Sequence, residues 1–149
     1  MSHAKKSQRL KPVQEFAERE EQEVAQRYAA VQQQHQQQRD KLTELQQYYD
    51  DYRRSTESRH CDLKHLQESR LFLSRLAQAI RQQSDTVARC AAQLDDIRQQ
   101  WMTARQHSMS MEQLLERYKR VERREQDARE QRESDELSSQ RFVWRQRHA

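Results

Sequence analysis

The chain has 149 residues, 33% hydrophobic, 35% charged and 7% aromatic, with no glycine and one proline. Without glycine the usual residue for tight hairpin turns and left-handed caps is missing, which argues against a sheet of short strands, and the apolar share is too small for a compact globular core. Twenty-eight basic residues against 24 acidic ones leave a net charge of +4, a mixed surface rather than a nucleic-acid footprint.

Glutamine, arginine, glutamate, alanine and leucine fill the sequence, most of them good helix formers. Their apolar members recur periodically, so the expected class is all-α, a long two-helix antiparallel coiled-coil hairpin in one domain. No apolar run approaches the roughly 18 residues of a membrane span, and no signal segment opens the chain. Cys61 and Cys90 form no metal-ligand spacing with the histidines. A cytoplasmic protein with reduced thiols and no cofactor is expected.

Residues 1–9 read as a flexible basic start carrying Lys5, Lys6 and Arg9, with Lys11 just beyond. Such a cluster is either a solvated tail or a contact for an acidic surface. Pro12 suits a first helical turn, where no amide partner is lost, and a helix is expected from about residue 12 to 54. From Val24 a 3/4 spacing selects Tyr28, Val31, His35, Gln38, Leu42, Leu45, Tyr49 and Tyr52, and backwards it reaches Ala17 and Leu10. The stretch "LTELQQYYDDYRR" holds Tyr48, Tyr49 and Tyr52. Two of the three fit the seam, and Tyr48 is left over.

Continuing this register past Tyr52 brings Arg59 and Arg70 into the seam and conflicts with Leu76. Burying unpaired guanidinium groups is costly, so a break is expected within "RRSTESRHCDL", at about residues 55–63, with serine or aspartate capping the next helix. A continuous helix dimerising in parallel is the alternative. The second helix is expected from about 64 to 140. Its seam runs Leu73, Leu76, Ile80, Gln83, Val87, Cys90, Leu94, Ile97, Trp101, Ala104, Ser108, Met111, Leu115 and Tyr118, a sustained heptad pattern.

Folding the chain near residue 59 sets Leu45 against Leu73, Leu42 against Leu76, Val31 against Val87 and Val24 against Leu94. His35 then meets Gln83 with Gln38 nearby, a polar layer of the kind that fixes register. Leu10 comes near Ser108, so the second helix continues as an overhanging charged arm. There Glu116–Arg120 and Glu125–Arg129 are spaced for i,i+4 support. The helix of about 75 residues spans about 110 Å. Residues 141–149 read as a tail.

Two rows remain beside the seams: Leu45, Tyr48 and Tyr52 on helix 1, and Phe72, Leu76, Ala79 and Gln83 on helix 2. Under the pairing above they lie at one height. On a shared face they form an aromatic and aliphatic patch suited to an interface. On opposite faces, or as mere widening of the core, they do not. His35, His60, His65 and His107 are scattered without a metal-ligand pattern. No glycine-rich phosphate loop is possible, and no layer exists to assemble a catalytic constellation. No enzymatic activity is expected.

Taken in order, "RLKPVQEFAEREEQEVAQRYA", "KLTELQQYYDDYRR", "SRLFLSRLAQAIRQQ", the seam Trp101 and "REQRESDEL" resemble the FliJ family of flagellar type III export proteins over roughly residues 9–140. The more specific element is Leu-x-x-Tyr-x-x-x-Tyr, followed some way on by Phe-x-x-x-Leu-x-x-Ala-Ile. The resemblance implies a two-helix stalk, similar to the rotor stalk of F-type ATPases, that inserts into the hexameric flagellar export ATPase ring and promotes its assembly. It also implies coupling to the cytoplasmic domain of the transmembrane export gate and handling of substrate-free export chaperones. The place implied is peripheral at the inner membrane, with no direct membrane insertion and no nucleic acid.

Carried over residue by residue, the gate surface falls on Leu45, Tyr48, Tyr52, Phe72, Leu76 and Ala79, with Lys41 and Gln83 at positions that vary in relatives. By the stalk analogy the ATPase ring receives the segment around Leu10 and Ala17 and the arm bearing Arg123 and Arg124. The equivalent stalk of a virulence injectisome and a generic coiled-coil scaffold are the competing readings.

Overall fold

The computed structural model describes residues 5–57 and 62–149. They form two helices, α1 (Lys6–Glu57) and α2 (Leu63–Arg147), with no strand among the described residues. The helices pack against each other as an all-α hairpin, which disposes of the single continuous helix. Residues 58–61, with Arg59, His60 and Cys61, lie outside the described residues, as does part of the basic start, 1–4. Asp62 caps α2: its Oδ1 accepts a hydrogen bond from the His65 backbone N–H at 2.9 Å. That bond satisfies an amide the first turn leaves without a helical partner.

Both helices run longer than the sequence pattern indicated. α1 starts at Lys6, so Pro12 lies inside it rather than in its first turn. The ring removes one helical hydrogen bond, the one to the Gln8 carbonyl, but Gln8 is exposed and water can take its place. A contact from far along the chain steadies the added turn. The backbone N–H and hydroxyl of Ser7 both donate to the Glu122 carboxylate, at 3.1 and 2.6 Å. Lys6 Nζ also stands 5.8 Å over the Tyr118 ring, within cation–π reach. α2 likewise extends through the supposed tail to Arg147, and the His148 N–H continues the pattern with a bond to the Trp144 carbonyl at 3.1 Å.

The chain divides into two compact units, Gln22–Thr103 and Met1–Glu21 with Ala104–Ala149. In Gln22–Thr103, burial follows the 3/4 spacing. Val24, Leu76, Cys90 and Ile97 are buried, while Val31, Leu42, Leu45, Leu73, Ile80, Val87 and Leu94 are half-buried. The α2 series reaches back one step further than expected, to Ser69 at 3% exposure.

Gln83 bridges the two helices of this unit. Its amide nitrogen donates to the Gln38 carbonyl at 2.9 Å and to the Gln38 side-chain oxygen at 2.8 Å. The expected partner, His35, lies three residues away on α1. Side chains lean toward the N-terminus of their own helix. In an antiparallel pair, Gln83 therefore meets a higher-numbered residue of α1 than a level backbone pairing suggests. Further along the seam the Tyr28 and Trp101 rings stack, with centroids 5.9 Å apart at 14°.

In the unit Met1–Glu21 with Ala104–Ala149, Ser7, Ala17, Ser108 and Leu115 are buried, and Leu10, Ala104, Met111, Tyr118 and Glu122 are half-buried. From residue 123 onward every residue is exposed. Local bonds support this stretch and the turn before it: Glu116–Arg120 at 3.8 Å, and Gln126 and Gln131 donating to Glu130 and Asp135 at 3.1 Å each. Each contributes a few tenths of a kcal/mol.

Candidate partner-binding surfaces

The leftover aromatic residues meet. The Phe72 ring lies 4.6 Å from that of Tyr52, tilted by 48°. It lies 6.1 Å from that of Tyr48, nearly edge-on at 78°, a spacing at which aromatic pairs attract. The two rows thus share one face of Gln22–Thr103. Their exposure is graded. Tyr48 is 53% and Phe72 37% exposed, whereas Leu76 retains only 8%; Leu45, Tyr52 and Ala79 lie between. Leu76 therefore offers a partner almost nothing. The surface open to contact is Tyr48 and Phe72, with the edges of Tyr52, Leu45 and Ala79; Lys41 is exposed nearby in sequence, and Gln83 is engaged with Gln38.

Sequence reasoning left out the opening turns of α2. Leu63, Leu66 and Leu71 are exposed at 71%, 39% and 55%. Leu66 continues the 3/4 series backward from Leu73 through Ser69.

The residues assigned to the other partner lie in Met1–Glu21 with Ala104–Ala149, and they differ among themselves. Ala17 is 2% exposed, a seam residue with almost no free surface, and Leu10 is half-buried, while Arg123 and Arg124 are open. The seam of this unit ends at the Ser7–Glu122 pair. The Ser7 hydroxyl, then its backbone N–H, hold the Glu122 carboxyl below its ordinary value, with Lys5 adding to the effect and partial burial opposing it. Lys5, Lys6, Arg9 and Arg117 line a groove around this pair.

Among the described residues no group of histidine, cysteine, aspartate and glutamate could hold a metal ion, and no helix is long and apolar enough to cross a membrane. What the geometry supplies is exposed apolar and charged side chains, Tyr48 and Phe72 in one unit and Arg123 and Arg124 in the other.

The family described as the flagellar FliJ protein matches residues 6–147. No curated protein and no solved structure matches the chain.

Proposed function

The chain belongs to the FliJ family and is a component of the flagellar export apparatus; from that premise we propose that it acts as a coupling stalk rather than an enzyme. In this reading the hexameric export ATPase ring receives the unit Met1–Glu21 with Ala104–Ala149, through Arg123, Arg124 and the surface beside Leu10, and its assembly is promoted by that contact. The Tyr48–Phe72 surface meets the cytoplasmic domain of the transmembrane export gate. Substrate-free export chaperones are further partners, and the site of action is peripheral to the inner membrane.

The observation that carries the proposal is the half-exposed aromatic cluster of Tyr48, Tyr52 and Phe72. A ring that only widened a core would be covered. Tyr48 instead leaves half its surface in water, and its burial against a partner contributes on the order of 1.5–3 kcal/mol. Coupling follows from asymmetry. A single helical pair cannot contact six subunits alike, so it favours different states in different subunits, and a ligand shifts an equilibrium only through such differential contact.

The test is capture of the export ATPase and of the gate's cytoplasmic domain by the Tyr48→Ala/Phe72→Ala protein. Helicity and ATPase capture should persist while gate capture falls by about tenfold or more. Loss of both partners together makes the cluster structural and ends this reading.

A further inference from the structure

One edge of α1 within Met1–Glu21 belongs neither to the seam nor to the aromatic cluster. Val13 and Phe16 are 48% and 63% exposed there, with Arg9 before them and Glu20 after them, both exposed as well. The four residues are spaced four, three and four apart, the interval that keeps side chains in one line along a helix. At about 100° per residue they share roughly 60° of the circumference, about a quarter turn from the buried line of Ser7 and Ala17. No other residue of 6–21 falls in that arc.

The line reads base, aliphatic, aromatic, acid, and neither charged end is matched on its own helix. The residues three and four away from Arg9 are Lys5, Lys6, Pro12 and Val13; those around Glu20 are Phe16, Ala17, Glu23 and Val24. Among the described residues neither Arg9 nor Glu20 enters an ion pair. Arg9 also lines the groove in which Lys5, Lys6 and Arg117 join it and outnumber Glu122 and Glu125, so that end of the line is basic.

Such an order is its own complement when reversed. An antiparallel copy centred between Val13 and Phe16 sets Arg9 against Glu20 of the second copy and Val13 against its Phe16, each pairing occurring twice. That self-complementarity is the condition for a two-fold contact between identical chains. In a parallel copy Arg9 meets Arg9 and Glu20 meets Glu20, and both pairs repel.

We propose that this edge of α1 is a self-association surface, through which two copies of the chain pair antiparallel by Arg9, Val13, Phe16 and Glu20. The contact is short, well below the area of a permanent dimer, so pairing is weak, with a dissociation constant on the order of 100 μM. It does not rest on the export reading, because the purified chain alone suffices to see it.

Sedimentation of the full chain from about 10 to 500 μM should show a reversible monomer–dimer equilibrium that strengthens as salt is lowered. Phe16→Ser should weaken it about tenfold or more. Arg9→Glu and Glu20→Arg, each alone, should weaken it by about as much, since like charges then face each other at both ends. Mixing those two proteins in equal amounts should restore a dimer, the all-acidic edge of one meeting the all-basic edge of the other. The double variant Arg9→Glu/Glu20→Arg should again pair with itself, and circular dichroism should find every variant as helical as the parent. A parent that stays monomeric throughout, or single charge variants that pair as it does, overturns the proposal. So does a mixture that associates no better than its components, which assigns any pairing to another face.

Discussion

Residues 69–103 and 123–149 of α2 are helical alike and rich in the same residues, yet only the first has a partner. There an apolar or small side chain returns at almost every third or fourth position and is buried or half-buried, as at Ser69, Leu76, Cys90 and Ile97. In the second stretch every residue is exposed, and the helix rests on propensity and i,i+4 bonds such as Gln126 to Glu130. Local preference suffices to draw a helix, but it supplies little stability; the cross-helix seam supplies most of it.

That contrast breaks most readily at Leu76. Replacing it with alanine removes a buried side chain from the seam and should cost about 2–3 kcal/mol, read from the urea midpoint of the circular dichroism signal. Leu137→Ala, in the unpartnered stretch, should stay within about 0.5 kcal/mol. Similar costs at the two sites would mean that residues 123–149 pack against something, and the distinction would fail.

A smaller effect sharpens the seam itself. Gln83→Ala leaves the half-buried Gln38 amide without its donor and should cost about 1 kcal/mol. Gln83→Leu should restore or raise the melting temperature while loosening register, because an apolar layer tolerates a slip that an amide pair does not. Spin labels at Val31 and Val87 should then show a broader distance distribution than in the parent. A leucine variant with an unchanged distribution would show that the glutamine pair does not set register.

Much of this fold can be read from spacing, for physical reasons that also mark where reading stops. The 3/4 periodicity of Val24 to Tyr52 and of Leu73 to Tyr118 exposes the two seams because a helix repeats every 3.6 residues. The partner of Gln83 was off by three residues because backbone arithmetic ignores the lean of side chains. The start of α1 was placed too late because its first turn is steadied by Glu122, 115 residues away, and no local window sees that bond. The tip surface was half legible. Spacing isolated Tyr48 and Phe72, but only the packed register brings their rings together and buries Leu76. Ala17 has the pattern of a seam residue, and it is buried.

The Ser7–Glu122 pair offers the finest comparison, because it is a polar closure of the seam where Gln83–Gln38 is a neutral one. Glu122 has its carboxyl pKa lowered by the Ser7 hydroxyl and N–H, so the stabilisation is present above the ordinary carboxylate pKa. It is lost as pH falls through the lowered value, when the carboxylate takes up a proton and the two donors compete for a weaker acceptor. The effect should be local and small for the whole chain: fraying of the first turn of α1, followed by the Ser7 amide resonance. In the parent this resonance should titrate below the ordinary glutamate range. In Glu122→Gln it should sit near the frayed position at every pH, because the neutral amide keeps an acceptor oxygen but not the charge that strengthens both bonds. A Ser7 amide that titrates at the ordinary carboxylate value, or that ignores the substitution, would leave the added turn of α1 to be explained by Lys6 on Tyr118 alone.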